Sequence, residues 1–150
     1  MIQRIQSLYL LIAGIIVLVM YKMPVAVFTG SDLIYNLYAC HILHPSTGAS
    51  VINVVPMAVL PVLSMFLSFF ALLKFKNRSF QMKLGKLNII VLVALLAVQV
   101  IYFIRIEQLI GEGNPGFSAI VPLVSILLIL MANKAIKKDD NLVKSADRIR

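Results

Sequence analysis

Four stretches of this chain, residues 5–21, 51–73, 87–104 and 117–132, contain no Asp, Glu, Lys, Arg or His. A helix rises about 1.5 Å per residue, so about 20 mostly apolar residues cross a hydrocarbon layer about 30 Å thick. Hydrocarbon offers backbone amides no partner, so such stretches satisfy themselves as helices. The first and last stretches, 17 and 16 residues long, are short and would need flanking residues or local thinning to reach across. The expected fold is an all-α membrane protein, a four-transmembrane-helix bundle. Composition agrees: 61% of residues are hydrophobic and 13% charged, where soluble domains run near 45–50% and about 25%. That balance argues against a soluble enzyme or a disordered regulator. A single cysteine rules out an internal disulfide.

The charges between these stretches set an orientation, because Lys and Arg near span ends resist translocation. Arg4 precedes the first span. Lys74, Lys76, Arg78, Lys83 and Lys86 lie between the second and third, and Lys134, Lys137, Lys138, Lys144, Arg148 and Arg150 follow the fourth. Twelve of the 14 basic residues thus fall on one face, leaving Lys22 and Arg105 with Asp32, Glu107 and Glu112 on the other. Both termini are expected to be cytoplasmic, in a bacterial inner membrane. The net charge of +8 then reads as topology, and no nucleic-acid partner is expected.

The first apolar stretch also has the look of a signal peptide, but Lys22 and Pro24 stand where cleavage wants small residues, so it is expected to remain a span. Leu37-Tyr38-Ala39-Cys40 is no acylation box, since Lys22 and Asp32 separate it from the apolar core. The first external loop is aromatic and apolar around Tyr35 and Tyr38, which reads as a structured cap, either a strand pair or an interfacial helix. The second, Glu107 to Gly116, is expected to be a tight reversal. The basic loop containing Lys74, Lys76, Arg78, Lys83 and Lys86, with Lys137 and Lys138 of the tail, is expected to meet anionic headgroups. Residues 133–150 read as an amphipathic cytoplasmic tail, a helix running out of the fourth span, with Leu142, Val143, Ala146 and Ile149 near one face and Asp140 and Lys144 paired at i,i+4.

Candidate chemistry is sparse. Cys40, His41 and His44 have metal-ligand types and spacing, yet no second Cys/His group completes a tetrahedral shell, so packing is the simpler role. Pumps and proton-coupled transporters carry ionisable groups at depth, and the four stretches have none. Gln99, Ser64 and Ser68 are left as polar glue between helices, with Asn88 near the start of the third span and Ser125 in the fourth as the other polar residues. Ser64-x-x-x-Ser68 and Ala94-x-x-Ala97 are small-residue surfaces for close approach, within one bundle or between copies. Pro56, Pro61 and Pro122 sit near helix starts.

The opening MIQRIQSLYLLIAG and closing MANKAIKKDDNLVKSADRIR resemble the ends of a family of small four-span inner-membrane proteins of Bacteroidetes, known as a domain of unknown function. The resemblance rests on Ile2, Gln3, Arg4, Gln6 and Ser7 at one end. At the other it rests on Asn133, Ala135, Ile136, Asp139, Leu142, Val143, Ser145, Asp147, Arg148 and Arg150. It implies localisation, supplies no catalytic residues, and points to the two ends packing together or sharing a partner. The expected role is therefore non-enzymatic and cofactor-free: a scaffold or accessory subunit of a membrane assembly, partnered by another membrane protein or by copies of itself. A small transporter or channel subunit is the alternative, and a metal-responsive sensor at Cys40, His41 and His44 the second.

Overall fold

The computed structural model describes residues 2–30, 33–43, 50–75 and 77–147. The protein is mostly helical, with α1 (Ile2–Ile16), α2 (Val55–Leu73), α3 (Arg78–Ile110) and α4 (Val121–Asp147). Three helical stretches, Val55–Leu73, Arg78–Ile110 and Phe117–Val143, are long and apolar enough to cross a membrane, and Ile5–Tyr21 is a shorter apolar one. The short stretch ends in a 3-10 turn, Val17–Tyr21. A 3-10 turn rises about 2.0 Å per residue, so this stretch reaches about 28 Å instead of about 26 Å.

The helix ends follow local chemistry. Pro56 lies in the first turn of α2, where a missing N–H costs nothing. Pro61 is inside the helix and buried. The side chain of Asn77 accepts a hydrogen bond from Phe80 N (3.1 Å), capping α3. The α3 helix spends 33 residues, about 50 Å. It stops at Gly111, whose φ of 135° is closed to most L side chains.

Neighbouring helices run antiparallel, as three levels of contact show. At one end Tyr21 donates to the Ala58 carbonyl and Ser118 to the Met23 carbonyl (2.9 Å). Midway, Ser125 donates to the Ala13 carbonyl (3.4 Å), and Gly14 lies close against Ser68. At the other end Arg78 bonds Asp139. The apolar core divides likewise. The larger cluster joins Ala13, Val17, Met57, Leu92, Leu95 and Ile129 to the sheet; the smaller draws Leu10, Ala71, Leu84 and Ala132 from all four helices.

A sheet caps the first end. Its strands are β1 (Ala26–Thr29), β2 (Ile34–Leu37), β3 (His41–Leu43), β4 (Ser50–Asn53) and β5 (Glu112–Pro115), ordered β4-β3-β2-β1-β5 and antiparallel. Ala26 and Phe28 point to the helices and are buried, while Thr29 is exposed, the alternation of a one-sided sheet. Phe28 meets Phe103 of α3 with ring centroids 5.3 Å apart. Of the two alternatives for the first loop, a strand pair or an interfacial helix, strands form, and they widen to five, so the expected all-α fold is corrected to a helical one with a sheet.

Several expected boundaries move. Residues 50–53 are strand β4, not the start of the second apolar helix. The third helix begins at Arg78, so most of the basic loop is helix. The second reversal yields to β5, which pairs Thr29 with Glu112 and Ala26 with Pro115. The tail, by contrast, is a helix running straight out of the fourth apolar stretch, since α4 continues unbroken to Asp147.

Candidate functional site

The polar residues of the apolar helices meet between elements. Asn88 of α3 is buried and donates through Nδ2 to the Ser68 hydroxyl (2.8 Å) and the Ser64 carbonyl (3.1 Å) of α2. Ser64 and Ser68 are buried on the same seam. Among the described residues, the Ser64 hydroxyl and Asn88 Oδ1 have no hydrogen-bond partner there. Small residues make this approach close: a β-carbon on Gly14 would sit 3.0 Å from Ser68 Cβ, and one on Gly85 2.5 Å from Asn133 Oδ1. Ala94 and Ala97 behave differently, standing exposed on α3.

Gln99 sits apart from that seam. It is buried on α3, with its amide 3.9 Å from the Met20 sulfur. It also lines an apolar cleft of about 320 Å³ between α3 and the sheet, bounded by Val25, Leu37, Leu96 and Phe103. Gln99 is the cleft's sole polar side chain among the described residues.

Cys40 is a free, half-buried thiol at the corner between β2 and β3, and His41 opens β3 with its ring 5.7 Å from that of Tyr38. His44 lies outside the described residues. Among those described, no three His, Cys, Asp or Glu side chains gather as a metal would require.

The basic residues collect at the end opposite the sheet, where α2 hands over to α3 and α4 runs out. Lys74 holds its ammonium 5.4 Å from the Phe70 ring centroid, and Phe70 meets Phe80 edge-on at 6.3 Å. Arg78 makes a 3.0 Å ion pair with the Asp139 carboxylate and a 3.2 Å bond to its carbonyl, both groups largely shielded from solvent. Lys83, Lys86 and Lys137 line a cleft between α3 and α4, and Lys138 is exposed. The side chain of Lys76 is outside the described residues. Gln6, one of the residues carrying the family resemblance, is buried near the amino-terminal end of α1; Leu10, a turn later, shares an apolar cluster with Ala132 of α4.

A family model described as a domain of unknown function (DUF4293) matches residues 2–149. The chain belongs to this family. No curated protein matches it. The match spans the helices and the sheet alike, so DUF4293 corresponds to this whole architecture, not to one segment of it.

Three features escaped the sequence reading. Asn88 stood out only as a polar residue near a helix start, with no partner assigned. The Arg78–Asp139 pair spans 61 residues, a separation at which charge pattern is silent. The Asn77 cap was legible as an Asn before a helix-forming run, but a hydropathy window centred on residues 87–104 passes over it.

Proposed function

We propose that this protein is a four-span integral protein of a bacterial inner membrane, with both termini in the cytoplasm, serving as a scaffold or accessory subunit of a membrane assembly. The observation that carries the role is the outer face of α3. The helix buries Leu84, Asn88, Leu92, Leu95 and Gln99 inward, while Ile90, Val93, Ala94, Ala97 and Ile101 are exposed. In lipid, helices associate where small residues let backbones approach. Ala94 and Ala97 keep such a surface free for a neighbour. The inner polar groups at Ser64, Ser68 and Asn88 support the same reading, since they join helices to each other.

Cross-linking in the native membrane, followed by purification in mild detergent, tests this. The wild-type chain is expected to yield a defined adduct that Ala94→Leu with Ala97→Leu abolishes. A monodisperse monomer without a partner would contradict it. A transporter or channel subunit is the second reading, favoured by Gln99 in its apolar cleft. Under that reading Gln99→Leu impairs solute movement by reconstituted protein; under the scaffold reading it matches wild type.

A further inference from the structure

At the basic end, α3 and α4 part to leave a cleft of about 610 Å³ lined by Lys83, Lys86, Asn133, Lys134, Lys137 and Asp140. Sites for small-molecule-sized groups run about 300–1,000 Å³. Two contacts fix its shape. Asn133 packs against Gly85, where a β-carbon would already crowd it. Toward the helix ends, Arg78 is clamped to Asp139.

The charges inside and outside the clamp differ in kind. Arg78 is answered by its own carboxylate. Around the cleft Lys83, Lys86, Lys134 and Lys137 share the wall with one carboxylate, that of Asp140, which has an interaction of its own, so positive charge is in excess there. Four ammonium groups around one cleft repel each other, and an anion entering between them relieves that repulsion.

Below the lysines the same helix faces turn apolar. Residues four apart lie one above the other, which aligns Lys83 with Leu87, Lys86 with Ile90 and Lys134 with Leu130. Leu87, Ile90 and Leu130 are all exposed. A ligand held here meets positive charge at one end and bare hydrocarbon-facing surface at the other. Basic pockets between membrane helices on the cytoplasmic side suit anionic lipid headgroups.

From this arrangement we infer that the α3–α4 cleft is a binding site for an anionic phospholipid, its phosphates among Lys83, Lys86, Lys134 and Lys137 and its acyl chains along Leu87, Ile90 and Leu130. Four lysines favour a headgroup with two phosphates over one. The inference rests on the proposed orientation, which puts this end at the cytoplasmic surface.

The test uses the full chain in detergent, with native mass spectrometry reading bound diphosphatidylglycerol, phosphatidylglycerol or phosphatidylcholine. Wild type is expected to retain the two-phosphate lipid most and the zwitterionic lipid least. Each lysine beside an anionic surface contributes about fivefold, so Lys86→Gln with Lys137→Gln should weaken retention about 30-fold. Both positions are exposed, and Lys86→Arg with Lys137→Arg should retain binding. Lys74→Gln with Lys138→Gln removes the same charge outside the cleft and should change retention little.

Equal loss in the two Gln pairs overturns the site in favour of diffuse charge, and equal retention of phosphatidylcholine overturns lipid selectivity. Displacement of the lipid by millimolar inorganic phosphate overturns the lipid assignment in favour of a free-phosphate site. Because binding is read in detergent, its failure leaves the membrane orientation standing for separate test.

Discussion

At the scale of single residues, the helices are held by side chains too small or too polar for a generic greasy seam. Gly85 and Asn133 show the logic. The Asn133 amide fills the space that any β-carbon on Gly85 would need, at 2.5–2.9 Å from that position. Gly85→Ala therefore forces a side-chain amide aside, and Asn133→Ala removes the obstacle. Unfolding of detergent-solubilised protein by added SDS should show Gly85→Ala destabilising alone and largely rescued in the double variant. A coupling of about 0.5 kcal/mol or more is expected for residues in contact, and additive effects would count against the contact. Asn88 is the polar counterpart. Its two bonds to Ser64 and Ser68 are interhelical, a class worth about 0.6 kcal/mol each on average. Asn88→Ala should accordingly cost about 1–2 kcal/mol in the same measurement, and a neutral result would remove Asn88 as a structural link. Gly116 is similar on the sheet side, where a β-carbon would run into the Pro24 carbonyl.

Among the elements, α3 and α4 depart furthest from what hydropathy alone predicts. The apolar windows 87–104 and 117–132 mark stretches apolar enough for a membrane, and charge marks where they end. Neither marks where a helix ends, because Lys and Arg are good helix formers. Both helices therefore continue past their apolar parts, and the Arg78–Asp139 pair joins the extensions. Removing one partner should loosen what lies beyond it. Asp139→Asn is expected to raise amide hydrogen exchange over residues 140–147 while leaving 121–132 protected. Unchanged exchange over 140–147 would mean that α4 needs no clamp. The sheet was legible only in part. Tyr35 and Tyr38 in an apolar setting pointed to structure in the first loop. The partner strand β5 was not legible, because Glu-Gly-Asn-Pro is poor strand material, and its pairing with β1 joins residues far apart in sequence.

Across the whole molecule, the sheet and most of the basic residues occupy opposite ends of one antiparallel set of helices. Lys22, Arg105, Glu107 and Glu112 stand toward the sheet, and Lys74, Arg78, Lys83, Lys86, Lys134, Lys137 and Lys138 toward the far end. The long apolar helices were legible from stretches of 16 or more residues without charge, and under the proposed four-span reading the charge asymmetry selects one of two orientations. What a neighbour or ligand does at these surfaces was not legible, since partner recognition depends on which residues the fold brings together. Site-directed labelling tests the orientation most directly. In a Cys40→Ser background, single cysteines are placed ahead of Met1, at Glu112→Cys and at Lys138→Cys, then exposed to a membrane-impermeant maleimide. In intact spheroplasts Glu112→Cys is expected to react, while the other two react only after lysis. Labelling of Lys138→Cys before lysis, or of the amino-terminal cysteine on the face opposite to it, would contradict the four-span account.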